Sequence, residues 1–138
     1  MEELPVPTTR KGPSEAFIGD VYVDGVTGPD AGCGVAWVHF TPGARNAWHT
    51  HATGQTLHCT TGRGLVVTDD EVIELRPGVT VWTPPGQRHW HAAVPDRFMT
   101  HLAIQASAPD GAPAASWGEH VTDEEYAAAV ARLDTTRN

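Results

Sequence analysis

The sequence predicts an all-β fold, a single sandwich or barrel of about eight short strands. Three observations carry that prediction. Short apolar runs recur from Phe17 to Ala106, turn residues separate them at regular intervals, and no stretch between those residues has a helical period. The 14 glycines and 11 prolines fit a chain with many tight turns.

The elements follow in order. Residues 1–15 are rich in proline and threonine without a period and read as an extended arm. FIGDVYVDGV alternates and reads as a strand. GVAWVHF at 34–40 is closed by Thr41-Pro42-Gly43, and QTLHCTT at 55–61 by Gly62-Arg63-Gly64. LVVTDDEVIEL reads as a hairpin with Asp69-Asp70 at its tip. VTVWT at 79–83 ends at Pro84-Pro85-Gly86, and HWHAAV and FMTHLAIQA supply two more strands. Residues 106–115 form a linker of small residues. A capping box, Thr122-Asp123-Glu124-Glu125, then opens a helix expected over about 123–133. The expected organisation is an arm at 1–15, a barrel at 16–106, and a linker with one short C-terminal helix at 107–138.

A chain of 138 residues buries a sizeable core without staples. Its net charge of −8 argues against nucleic acid and anionic membranes as partners. Cys33 and Cys59 stand far apart and read as reduced thiols. The N-terminus has no apolar leader segment, and no run approaches a membrane span. Together these point to a cytoplasmic protein.

Histidine carries the chemistry, with 8 in the chain, most between Val38 and Leu102. In GARNAWHTHATGQTLHCTTG, residues 43–62, His49 and His51 are two apart. On a strand they leave the same face, about 7 Å apart, and can converge on one ion. Gln55 keeps that parity if the chain stays extended through Thr53-Gly54. His89, in GVTVWTPPGQRHWHAA at 78–93, has to arrive from a facing strand.

These two segments resemble the paired motifs of the cupin superfamily, G-x5-H-x-H-x3-E-x6-G and G-x5-P-x-G-x2-H-x3-N, with every gap length kept. Gln55 stands where the motif has Glu, and Ala93 where it has Asn. The resemblance implies a jelly-roll barrel holding one divalent metal ion on His49, His51, Gln55 and His89. The competing reading is a metal-free relative with structural histidines. With only neutral ligands the ion keeps its full charge, which makes it a stronger Lewis acid but binds it less tightly. The donor set suits Mn, Fe, Co, Ni or Zn.

NAWHTHATGQTL, RHWHAA and MTHLAIQ further resemble the small bacterial cupins with hydroxynitrile lyase activity, also called mandelonitrile lyases, in which Gln likewise replaces Glu. That resemblance implies manganese, a small-molecule substrate and cleavage of cyanohydrins to an aldehyde and hydrogen cyanide. Such cleavage needs a base for the hydroxyl proton and a cation for the departing cyanide. Met99, His101, Ala103 and Gln105 share one strand face, so His101 is the expected base and Gln105 a hydrogen-bonding partner of substrate. The bland alternative for His101 is a buried histidine satisfied by a carbonyl. His91 shares the face of His89 and is expected in the pocket, as a hydrogen-bond donor or a second acid–base group, and not as a ligand. Ala36, Val38, Phe40, Leu57 and Met99 are the expected pocket wall. His39 and His58 have outward parity, and His120 is expected to cap or pack locally. A homodimer or homotetramer is implied by resemblance to other small cupins. Two other functions stay open: an iron-dependent dioxygenase, and a non-catalytic metal-dependent binder of small molecules.

Overall fold

The computed structural model describes residues 1–136. The strands are β1 (Arg10–Lys11), β2 (Phe17–Ile18), β3 (Val21–Thr27), β4 (Cys33–Phe40), β5 (Arg45–Asn46), β6 (His49–His51), β7 (Gln55–Gly62), β8 (Gly64–Val67), β9 (Val72–Leu75), β10 (Thr80–Thr83), β11 (Trp90–Ala93), β12 (Met99–Ala106) and β13 (Ala115–Trp117). One α-helix, α1 (Asp123–Thr136), ends the described chain. It is three residues longer than the reading from sequence. Among the described residues, no helix is long and apolar enough to cross a membrane.

Two sheets face each other and are not closed into one continuous barrel. The larger has the order β1-β3-β4-β12-β7-β10 and the smaller β2-β5-β11-β8-β9, with β13 and β6 forming a separate pair. All pairings are antiparallel. The turn-punctuated sequence predicts a sandwich or barrel, and this is the double-sheet jelly roll that the motif resemblance implies.

Local differences from the sequence reading have physical causes. The run at 17–26 is broken because Gly19 takes a positive φ of 81°, so β2 joins one sheet and β3 the other. Gly54, at φ 76°, makes the turn that passes the chain from β6 to β7. Gly62 is forced by contact as well as by φ, since a Cβ there would lie 1.8 Å from the Phe98 carbonyl oxygen. The linker is also more structured than its composition suggests. It holds a 3-10 turn at Pro109–Gly111 and then pairs as β13 with the histidine strand β6.

Two cores result. Between the sheets lie Val21, Phe40, Leu57, Cys59, Leu75 and Met99, all fully buried. On the outer face of the smaller sheet, Trp90, Leu65 and Val67 pack under Ala129 and Leu133 of α1. Every residue of β8 and β11 is therefore buried, with one face on the inner core and the other beneath the helix. Arg45 pins the start of the helix. Its Nε donates to the Val121 carbonyl at 3.0 Å, its NH2 group pairs with Asp123 at 2.7 Å, and its guanidinium lies over the Tyr126 ring. The expected capping box forms, with the Glu125 N–H donating to Thr122 Oγ1 and the Thr122 N–H to Glu125 Oε1, both at 3.1 Å.

Candidate metal centre

Five histidines gather between the sheets, and strand parity explains each. On β6, His49 and His51 are buried while Thr50 between them is less so. His89 bridges to His49 with two backbone hydrogen bonds of 3.0 Å, which brings the second motif against the first. On β11, His91 and Ala93 face inward and Trp90 and Ala92 face the helix. On β12, Met99 and His101 are fully buried on the inner face. Gln55 opens β7 with the same inward parity as Leu57 and Cys59.

The rings are close. Centroids are 4.3 Å apart for His49–His89, 4.9 Å for His49–His51, 5.3 Å for His51–His89, and 5.1 Å for both His89–His91 and His91–His101. His49 and His89 are oriented alike. Each places Nδ1 2.8 Å from the carbonyl two residues before it, that of Ala47 and that of Gln87. Each therefore donates from Nδ1 and holds a lone pair on Nε2, the form in which histidine binds a metal.

The electrostatics hold the rings neutral. Among the described residues, no aspartate or glutamate is buried with them. Burial pushes His51 and His101 down to about 4 from the ordinary 6.5. Burial first, then repulsion from neighbouring imidazoles, pulls His49 and His91 well below that value, and burial lowers His89. Several donor atoms are buried without a hydrogen-bond partner: both ring nitrogens of His51, Nε2 of His89, Nε2 of His91, Nδ1 of His101, and Oε1 of Gln55 and Gln105. Leaving such groups unpaired costs about 1–3 kcal/mol each. A cation would satisfy the lone pairs among them at once, so the residues fit a metal ion.

His49, His89 and His91 bring ring nitrogens within 4.8 Å of one another, and three buried histidines so placed can bind a metal. This trio differs by one from the three histidines expected from the motif. His91 stands in it, and His51 flanks it beside Gln55 and Gln105.

The pocket wall departs from expectation. A cavity of about 410 Å³ opens beside the centre, and Gln55, Ala36, Ala103 and Gln105 line it. Phe40, Leu57 and Met99 instead belong to the apolar core, and Val38 packs against it. They share the inward face but lie further along their strands. The rest of the wall comes from β3 and the turn after it, with Val23, Thr27 and Pro29, and from the linker, where Ser107, Ala112 and Ala114 face the cavity. The outward histidines match their parity. His39 contacts Asp24 at 2.8 Å and Thr100 at 3.0 Å, and His58 contacts Thr80 at 2.7 Å. His120 is exposed, and the helix cap comes from Thr122.

Two neighbours of the centre escaped the sequence reading. Asn46 is buried and hydrogen-bonded to His91. Trp117, opposite His49 in the β13–β6 pair, places its ring 4.6 Å from the His49 ring. The one available signal was the position of Asn46 three residues before His49.

Comparison with known proteins agrees with this architecture. The family described as Cupin domain matches residues 36–104. The chain is 50% identical over 119 residues to an (R)-mandelonitrile lyase of Granulicella tundricola, covering 84% of this chain and 89% of that protein. A crystal structure of a cupin-like protein from Thermotoga maritima superposes with a TM-score of 0.81 at 34% identity, covering 94% of this chain and 97% of that one. A cupin-2 domain from Rhodospirillum rubrum superposes at 0.71 with 18% identity, over 97% and 92% of the two chains, and shares the fold. With its two histidine motifs meeting between facing antiparallel sheets, this chain belongs to the cupin family.

Proposed function

We propose that this protein is a metal-dependent lyase that cleaves cyanohydrins, or forms them in reverse, with His49, His51, Gln55 and His89 holding one divalent ion. The observation that carries the reading is the cluster of buried, neutral, unpartnered donors with no carboxylate among them. The 50% identity to a mandelonitrile lyase supports this reaction, and manganese is the ion proposed from the family resemblance. A divalent ion on neutral ligands supplies Lewis acidity for the anion released.

The chain's own residues do the rest. Substrate enters the cavity past Gln105, whose side-chain amide stands beside His51 and can hydrogen-bond substrate. His101 lies deeper along the same strand face. We assign it as general base, taking the hydroxyl proton on Nδ1, the ring nitrogen that does not contact His91. As the carbonyl forms, the bond to the nitrile carbon breaks and its electron pair leaves with cyanide. His101 Nδ1 then returns that proton to cyanide, while His101 Nε2 stays in contact with His91 at 3.2 Å. Burial keeps His101 unprotonated at neutral pH, as a base must be.

The test is anaerobic release of benzaldehyde from mandelonitrile by manganese-loaded protein, lost in His101→Ala with metal content unchanged. Absence of release, or full activity in His101→Ala, refutes the assignment. Substrate-dependent oxygen uptake with Fe(II) would favour a dioxygenase instead.

A further inference from the structure

Asn46 makes two contacts to a single residue. Its Oδ1 accepts the backbone N–H of His91 at 2.7 Å, and its Nδ2 lies 3.2 Å from His91 Nδ1. The first contact fixes the amide orientation, because only the oxygen can accept from an N–H. Nδ2 then faces the ring with hydrogens alone, so His91 Nδ1 has to present a lone pair. A protonated ring would set N–H against N–H. The single proton of neutral His91 therefore sits on Nε2, which is buried and has no protein partner. His101 Nε2 also lies 3.2 Å from His91 Nδ1, and its own neutral ring can match either form of His91 by changing tautomer.

We infer that Asn46 is a positioning residue: it sets His91 as an N–H donor at the metal centre, so that His91 hydrogen-bonds the ligand of the ion and does not coordinate the ion itself. This rests on the metal centre proposed above. It explains how His91 can sit in the tightest histidine trio while the ion is held by His49, His51, Gln55 and His89. It also gives the centre a neutral donor for an anionic ligand atom, where no lysine or arginine is buried in reach among the described residues apart from Arg45, which is engaged at the helix.

The experiment reads the proton directly. Long-range ¹H–¹⁵N NMR of the imidazoles in metal-free protein at neutral pH should show His91 protonated on Nε2. Asn46→Asp keeps an acceptor for the backbone N–H but turns the second contact into an acceptor, and should move the proton to Nδ1. In the Co(II)-loaded protein, that variant should gain an imidazole ligand, seen as a changed visible absorption spectrum. Asn46→Ala, without either contact, should show both tautomers. A native protein with His91 protonated on Nδ1, or a tautomer unchanged in both variants, overturns the inference. The native measurement decides even where a variant fails to fold. Failure of the metal-centre reading would look different, since Co(II) would then not bind native protein whatever tautomer metal-free His91 adopts.

Discussion

Acid should unfold the metal-free protein through its histidine cluster, and His101 gives the size of the effect. In the unfolded chain this imidazole takes up a proton near 6.5, and in the folded protein burial defers that to about 4. Between those values the unfolded chain binds more protons, so stability is full above about 6.5 and falls as pH drops towards 4. For these two values the loss from His101 alone is about 2 kcal/mol at about pH 5. His49, His51, His89 and His91 are lowered in the same direction and add to it. The lowered carboxyls of Asp24, Glu119 and Glu125 share that sign and offset nothing. The assay is urea unfolding of metal-free protein at a series of pH values from about 7.5 to 4.5. It should be repeated on His101→Gln, whose pH-dependent loss should be smaller by about 2 kcal/mol at about pH 5 whatever its absolute stability. Equal stability across the series, or the same profile for the variant and the native chain, would refute the reasoning.

Three further outcomes follow from particular contacts. Gln55→Glu places an anion among neutral donors and should tighten divalent metal binding by roughly tenfold, about 1.4 kcal/mol, while slowing cyanohydrin cleavage; competition with a fluorescent chelator reads the first and benzaldehyde release the second. Gly62→Ala drives a methyl group into the Phe98 carbonyl at a φ of +81° and should cost roughly 3 kcal/mol or more, read as a lowered Tm or as insoluble expression. Arg45→Ala removes two hydrogen bonds and a cation–π contact at the helix start and should cost about 2 kcal/mol, with limited proteolysis cutting first between the smaller sheet and α1.

Much of the site can be read from the sequence because strand parity is simple. One period-two argument puts His101 and Gln105 on the inner face with Met99, and the motif spacing singles out four donors. Parity says nothing of depth, however. Phe40, Leu57 and Met99 point inward as Gln105 does, but they lie further along the strands and fill the core, Phe40 with its ring 5.5 Å from that of His101, so of the expected wall Ala36 lines the cavity. Contacts between distant segments are equally silent. Asn46 meets His91 across 45 residues of chain, in a two-residue strand too short to alternate. The run after Ala106 shows only small side chains, with nothing to signal that it returns to pair with the histidine strand.

That returning segment separates two jobs that most binding sites combine. The histidines sit on β6, β11 and β12 and at His89 beside β6, whereas part of the cavity rim is drawn from short side chains between Ala106 and Ala114. Enlarging Ala112 or Ala114 would narrow the doorway and leave the donors where they are. Point changes in that peripheral stretch can thus reshape the cavity without touching the histidine cluster.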